Sequence, residues 1–578
     1  MPRRPPAVGP ELEPRERAFA ALALVFAMAC LLWRLVAEPF DHGYVRYLGL
    51  AAEMLRSGDF VVPRLGTWVY LQKPPLFVWI VAAAGRILGL EASLVPHAPN
   101  LLALGLSVFW MLRLGTRLFG RRDAALAAAL VLLTTFETFS LLREKRIDPL
   151  FAAFLLGAFE RLHAAWCAQR DGRDAVAPMA AAGLWLALSA LVKGPLAVAF
   201  FLAVALPLCA WTGAWRLLTG ARGAAAVAVF CAIVAIWPVL LVERLGLGEA
   251  RRLFAATALT TRKGGTFHYL LNLPGQMAPY TIFAPALVWA AWSGRRRLGE
   301  APAGLRFVLV WFAALFGLLH LSPMKHSRYL LPAFAPLALL VVALFASLER
   351  PGPAPLDTAA RRLRDVALRV GFALFGAAGA GALVAAPLLP EGGLAVGIAG
   401  ALCAIGAWLG WQRIGPRGDE PGAERPDRPR DRLPELLLLS LVVTVAWSAY
   451  DGGRAERFAA RSTLPAARSA LARLRSGEPA ILVDLGESQA IAVQVVAGRG
   501  LPSARDVTAA AAFVAAEGAK GADTVALVTR AERAGALIAD PSFTVRSTAS
   551  FELSGRPLVV LDASPRPSPP PTSPRPPD

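Results

Sequence analysis

About thirteen apolar runs, each near the length needed to cross ~30 Å of hydrocarbon, dominate this chain and leave few folds open to it. They lie at 18–36, 95–114, 124–142, 149–166, 176–192, 196–211, 223–242, 279–292, 304–321, 329–348, 366–388, 394–411 and 433–450. In hydrocarbon a backbone amide must be bonded within its own helix or closed barrel, so runs of this length fold as helices. The fold class that follows is mainly α: a polytopic helical membrane protein. Composition agrees, with 56% hydrophobic residues among 578 and a mean hydropathy of +0.51. The net charge of +19 would suit nucleic acid. However, the arginines gather in short loops between apolar runs, where the positive-inside rule puts them, and no basic stripe interleaves with aromatics. Nucleic acid is therefore excluded as a partner. The five cysteines all fall in apolar segments without metal-ligand spacing, so neither a disulfide framework nor a metal site is expected.

A further stretch, 74–90, is short, opens on Pro74-Pro75 and carries Arg86. Parity decides its place. The most basic loops are 113–122, 295–297, 361–369 and 413–432, and all fall on the cytoplasmic side only if 74–90 does not cross. It is therefore read as a re-entrant or interfacial helix. Residues 1–17 become a cytoplasmic tail, 18–450 the membrane domain, and 37–94 its first outer loop. Residues 451–563 mix short β runs (480–484, 524–529, 558–562) with helical patterns at 464–475, 507–517 and 531–539, as a small α/β domain does. An odd number of spans puts that domain outside. Residues 564–578 form a Pro/Ser/Arg tail that cannot bury a core.

The outer loops are 41–73, 143–148, 193–195, 243–278 and 322–328. They carry ten basic residues on the side the orientation rule disfavours: Arg143, Lys145, Arg146, Lys193, Arg251, Arg252, Arg262, Lys263, Lys325 and Arg328. Within 41–73 the residues Tyr47, Leu48, Leu50, Ala51, Met54 and Leu55 recur at helical spacing, as in an amphipathic surface helix. Lys73 then stands before the double proline. Cations and carboxylates converging on one membrane surface suit group transfer from a lipid phosphate. The cations would hold the phosphate, and a carboxylate would deprotonate the acceptor. Neither a Walker A sequence nor a GxGxxG after a strand is present, which fits a donor carried by lipid rather than by a nucleotide.

The stretches YLGLAAEMLRSGDFVVPRLGTWVYLQKPPLFVWI, RIDPLFAAFLL, ALSALVKGPLA, TFHYLLNLPGQMAPYTIFAP and LSPMKHSRYLLPAFAPLALL occur in this order across residues 15–350. Together they resemble the bacterial aminoarabinose (lipid A) transferases, GT-C membrane glycosyltransferases related more distantly to protein O-mannosyltransferases. The resemblance implies about thirteen spans with a C-terminal α/β periplasmic domain in the bacterial inner membrane. It also implies an inverting transfer from a polyprenyl-phosphate sugar to a lipid A-like, other lipid, glycan or protein acceptor, with no cofactor. Lys73 resembles the lysine that approaches the donor phosphate, Asp148 the acid of the second loop, and Lys193-Gly194-Pro195 the short loop motif. Arg146 and the pair Arg46-Tyr47 join the substrate-binding set. Arg262 or Lys263 stands for the basic residue before the turn that ends in Tyr269. Lys325 and Tyr329 fall in the late loop motif, with His326-Ser327 where the family has Leu-Pro.

One departure matters. The family carries Asp-Glu just before its Arg-Tyr pair, and those positions are Gly43 and Tyr44 here. Asp41 lies two residues earlier and would take over as the catalytic base in a shifted register. The competing reading is a non-catalytic binder or transporter of lipid-linked sugar that kept the fold.

Overall fold

In the computed structural model the chain is described from residue 13 to 565, except 38–41, 66–67, 91, 93, 144–145, 257–264, 296–301, 324, 347–357, 390–392, 415–431, 461–463, 473, 475–476, 486, 498–500 and 554–555. It divides into two compact units. One comprises residues 1–38, 73–77 and 97–457; the other comprises 39–72, 78–96 and 458–578.

The first unit is a helical bundle. Among the described residues nine helices are long and apolar enough to cross a membrane, or ten if the bent pair Arg122–Thr134 and Phe136–Leu142 is one span. The remaining three expected spans are helical but shorter: Leu196–Thr212, Ala284–Gly294 with its preceding turn Tyr280–Phe283, and Leu331–Ala343. The spine is Ile147–Arg170, whose apolar window is 83% buried. It packs against Ala98–Phe119 on one side and Val176–Lys193 on another. Thr358–Ala385 and Gly393–Ile414 approach closely because Gly379 and Gly400 face each other; a Cβ on Gly379 would meet the Gly400 carbonyl oxygen at 2.6 Å.

The run 124–142, expected as a single helix, is broken by 69°. Thr135 leaves the helical region (φ −62°, ψ 141°), and its hydroxyl donates to the Leu132 carbonyl at 3.0 Å and lies 2.8 Å from Thr138 Oγ1. Threonine hydroxyls compete in this way with the backbone ladder. Other helices fasten the break. Thr134 Oγ1 and the Tyr280 hydroxyl are 2.5 Å apart, Tyr280 donates to Ser440 at 2.7 Å, and Trp447 Nε1 donates to the Thr134 carbonyl at 2.9 Å.

The second unit holds a five-stranded sheet in the order Ser503–Ala504, Ala480–Val483, Val525–Arg530, Arg556–Pro565, Phe543–Leu553. The first three strands are parallel and the last two antiparallel. Its core is built from Ile481, Val483, Val514, Leu527, Phe543 and Leu561. The expected strands and helices are present, joined by the helix Glu487–Ala497 and the strand Phe543–Leu553, which the sequence reading passed over. The last membrane helix runs past position 450, as Leu433–Ala460. The loop helix His42–Ser57 belongs to this unit. Its apolar face (Leu48, Leu50, Ala51, Met54) is buried in protein and packs with Glu487–Ala497, rather than lying open to lipid. The helix Leu76–Leu88, within the stretch expected not to cross, has 13 residues and covers only about 20 Å.

Candidate functional site

Asp148 sits in the first turn of Ile147–Arg170, where the helix dipole favours a carboxylate. The residue is 3% exposed. Its Oδ1 accepts from Lys193 Nζ at 2.5 Å, and its Oδ2 lies 3.4 Å from Arg328 Nε. Lys193 closes the helix Val176–Lys193 and is enclosed in turn, with Nζ 4.2 Å from the Tyr329 ring centroid and 5.0 Å from that of Phe151. A buried ammonium needs such a partner, because desolvating an unpaired charge costs several kcal/mol. Gly194 then turns the chain with φ 75° and ψ −151°, a region open essentially to glycine alone. Pro74 packs beside it, 4.0 Å from where a Cβ would stand, and the Lys73 and Arg328 charges both act on Lys193.

The late loop adds a second layer. Lys325 Nζ donates to the carbonyls of Leu319 (2.9 Å) and His320 (2.6 Å), the last turn of Ala303–Leu321. Cations there satisfy helix-end carbonyls. Its ammonium lies 5.2 Å from the Tyr269 ring, and desolvation holds it below the ordinary lysine pKa. Burial pushes the Tyr269 hydroxyl pKa upward, a shift opposed by the hydrogen bond that this oxygen accepts from the His326 amide at 3.2 Å. His326 and Tyr329 stack edge to face at 5.0 Å. The residues Asp148, Lys193, Lys325, Tyr269 and Tyr329 are thus gathered in one unit by side chains in contact, with Lys73 within electrostatic reach.

Arg146, half-buried, precedes the Asp148 helix as its N-cap residue. Arg46 and Tyr47 belong to the second unit, where the Arg46 guanidinium lies 5.6 Å from the Tyr70 ring. Asp41, Arg262 and Lys263 lie outside the described residues. The sequence reading counted Arg328 among the misplaced cations without assigning it a place in the site. Its signal was adjacency to Tyr329 in the same charged loop.

Close to this cluster runs a narrow apolar slot lined by Leu142, Pro149, Phe159, Trp311, Leu331 and Pro332, among others. Pro149 follows Asp148 directly, and Leu331 lies two positions beyond Tyr329, so one wall of the slot begins where the charges end.

No family model matches the chain. It is 27% identical over 336 residues to the undecaprenyl phosphate-alpha-4-amino-4-deoxy-L-arabinose arabinosyl transferase of Edwardsiella ictaluri, covering 56% of this chain and 58% of that protein. It is 29% identical over 311 residues to the second such transferase of Pseudomonas fluorescens, covering 51% of this chain and 50% of the relative. The chain thus spans little more than half the length of these curated relatives. It superposes on the crystal structure of ArnT from Cupriavidus metallidurans bound to undecaprenyl phosphate with a TM-score of 0.69 at 18% identity, covering 94% of this chain and 98% of the other. The apo form of the same protein gives 0.67. The expected fold, a helical membrane bundle with a small α/β domain, is the fold of those structures.

Proposed function

We propose that the chain is an integral-membrane glycosyltransferase that takes a sugar from a polyprenyl-phosphate donor and passes it to a lipid A-like or other periplasmic acceptor. The observation that carries this reading is the convergence of Lys193 and Arg328 on one buried carboxylate. Both pair with Asp148, and the Lys73 charge acts on Lys193. The kinship with transferases named for undecaprenyl phosphate supports the same donor class.

In the reaction an acceptor oxygen forms a bond to the anomeric carbon while the bond from that carbon to the phosphate oxygen breaks. Polyprenyl phosphate leaves with the electron pair, and the acceptor proton passes to a base. Cations placed at the phosphate stabilise the charge that develops on it. Asp148 has both oxygens engaged by cations, which supports its role as the anchor of Lys193 and Arg328. The base is then Asp41. The site faces the periplasm of the bacterial inner membrane, with about thirteen spans, by the charge parity of the loops.

The test is incubation of the purified protein in nanodiscs with a panel of polyprenyl-phosphate sugars, following released polyprenyl phosphate. Lys73→Ala should lower donor use roughly ten- to a hundredfold, the worth of one charge-assisted contact. Undiminished transfer by that variant would remove Lys73 from the site. A second reading, a binder of lipid-linked sugar without turnover, is favoured by Gly43 and Tyr44 at the positions of the acidic pair. Donor binding without release by the wild type, across the whole panel, would select it.

A further inference from the structure

A second concentration of charge lies farther along the same spine helix, and the transfer reaction makes no use of it. From Asp148 to Glu160 the Ile147–Arg170 helix advances roughly 18 Å, more than half the hydrocarbon thickness. The Glu160 side chain is fully buried, yet three guanidiniums converge on it. Arg113 Nε stands 3.2 Å and Arg117 Nε 3.0 Å from its Oε1, while Arg161 pairs with Oε2 and faces the Trp110 ring at 5.4 Å. Arg113 and Arg117 are one turn apart on Ala98–Phe119 and so share a face. One carboxylate neutralises only one of the three. The side chains of Arg113 and Arg117 remain 43% and 37% exposed, so neither is enclosed by its contact with Glu160. The nearby Asp123 is already engaged by Arg121 at 2.7 Å.

We infer that Arg113, Arg117 and Arg161 form a binding site for the phosphate of an anionic phospholipid in the leaflet opposite the Asp148 cluster. Arginines that serve only to orient a span need no fixed partner. These are held in a fan by a carboxylate whose burial is costly unless it is multiply paired. Their geometry offers paired N–H donors of the kind that grip phosphate oxygens. The source is a lipid rather than a soluble phosphate because of what lies along the same helix. Leu102 and Phe109 are 40% and 50% exposed and fall seven and four residues apart in line with Arg113, an apolar track for an acyl chain above the headgroup. Arg117 lies two positions from the helix end at Phe119, within snorkelling reach of headgroup depth.

The experiment uses the full chain in nanodiscs of phosphatidylethanolamine doped with phosphatidylglycerol, then extraction and native mass spectrometry to count retained phosphatidylglycerol. Arg113→Gln with Arg117→Gln should reduce retention by about tenfold or more, since two charge-assisted contacts are lost. The exposed pair Arg122→Gln with Arg216→Gln makes the same change in net charge and should leave retention unaltered; an equal loss there would overturn the site in favour of bulk attraction. Retained lipid in the Arg113/Arg117 variant would overturn it outright. Displacement of the lipid by millimolar inorganic phosphate would reassign the site to a soluble anion. If the glutamine variant fails to fold, Arg113→Lys with Arg117→Lys keeps the charge but loses the paired donors, and undiminished retention there also overturns the proposal.

Discussion

At Asp148 the two candidate roles of a carboxylate separate by what removing it should do. Both members of the Asp148–Lys193 pair are almost wholly buried, at 4% and 6% side-chain exposure, so removing one charge strands the other. Breaking a buried pair in this way costs about 3–5 kcal/mol, whereas the pair replaced as a whole by apolar groups is often near neutral. Asp148→Asn should therefore lower the thermal unfolding midpoint markedly, and Asp148→Asn with Lys193→Met should recover a good part of the loss. A single variant with wild-type stability but no turnover would instead make Asp148 the base. Lys325 yields a pH prediction of definite sign. Its pKa is lowered by desolvation, so the folded chain holds that proton less tightly than the unfolded chain. Protonated Lys325 therefore costs stability below the lowered value, and the cost is relieved as pH rises through it. Anion binding runs the other way, because it needs the charged form and weakens across the same window. Two of the three ammonium hydrogens are spent on carbonyls, which leaves one for a ligand. Lys325→Arg keeps its charge to above pH 12 and should move the alkaline limb of donor binding upward. Coincident limbs in the two proteins would take Lys325 out of the phosphate site.

Among the elements, the turn at Gly194 does the most to set the site's geometry. Space is not the constraint there, since a Cβ would meet only Pro74 at an ordinary 4.0 Å. The constraint is φ 75° with ψ −151°, so Gly194→Ala should cost about 1–3 kcal/mol and displace Lys193 from Asp148. Measured as a drop in unfolding midpoint together with weakened donor binding, the effect should exceed that of Gly213→Ala, where φ 70° with ψ 13° is ordinary left-handed helix. Much of this scale was legible beforehand. The apolar runs located the helices of the bundle, and the charged loops drew attention to Lys193, Lys325 and Arg328 before any contact was visible. The break at Thr135 was not legible, because hydropathy over 124–142 does not register hydroxyls bonding to the backbone. The 11-residue strand Phe543–Leu553 was missed for a related reason. Its sequence FTVRSTASFEL is half polar, as befits an edge strand paired on one side only, and it offers no apolar run to read.

For the molecule as a whole, the unexpected feature is which parts of the chain fold together. The loop 39–72 follows the first membrane helix in sequence, yet it belongs to one unit with residues 458–578. The amphipathic pattern of Tyr47 to Leu55 correctly announced a helix with one buried face, but periodicity cannot say what covers a face, and lipid was the nearest apolar phase to hand. In the fold the cover is the helix Glu487–Ala497, more than 400 residues away. Leu50, Ala51 and Met54 are each 0% exposed. Uncovering three such side chains forfeits burial worth several kcal/mol at about 25 cal/mol per Å². The loop helix should therefore depend on the C-terminal domain for its order. A chain ending at residue 457 should still insert its bundle, because the first unit has its own core. Its residues 42–57 should become rapidly cleaved by an added protease and lose amide exchange protection, and a supplied 458–578 fragment should restore both in part. Protection of 42–57 in the shortened chain equal to that in the full one would mean that lipid or the rest of the loop suffices to hold the helix. In that case the C-terminal domain would have no part in ordering the loop helix.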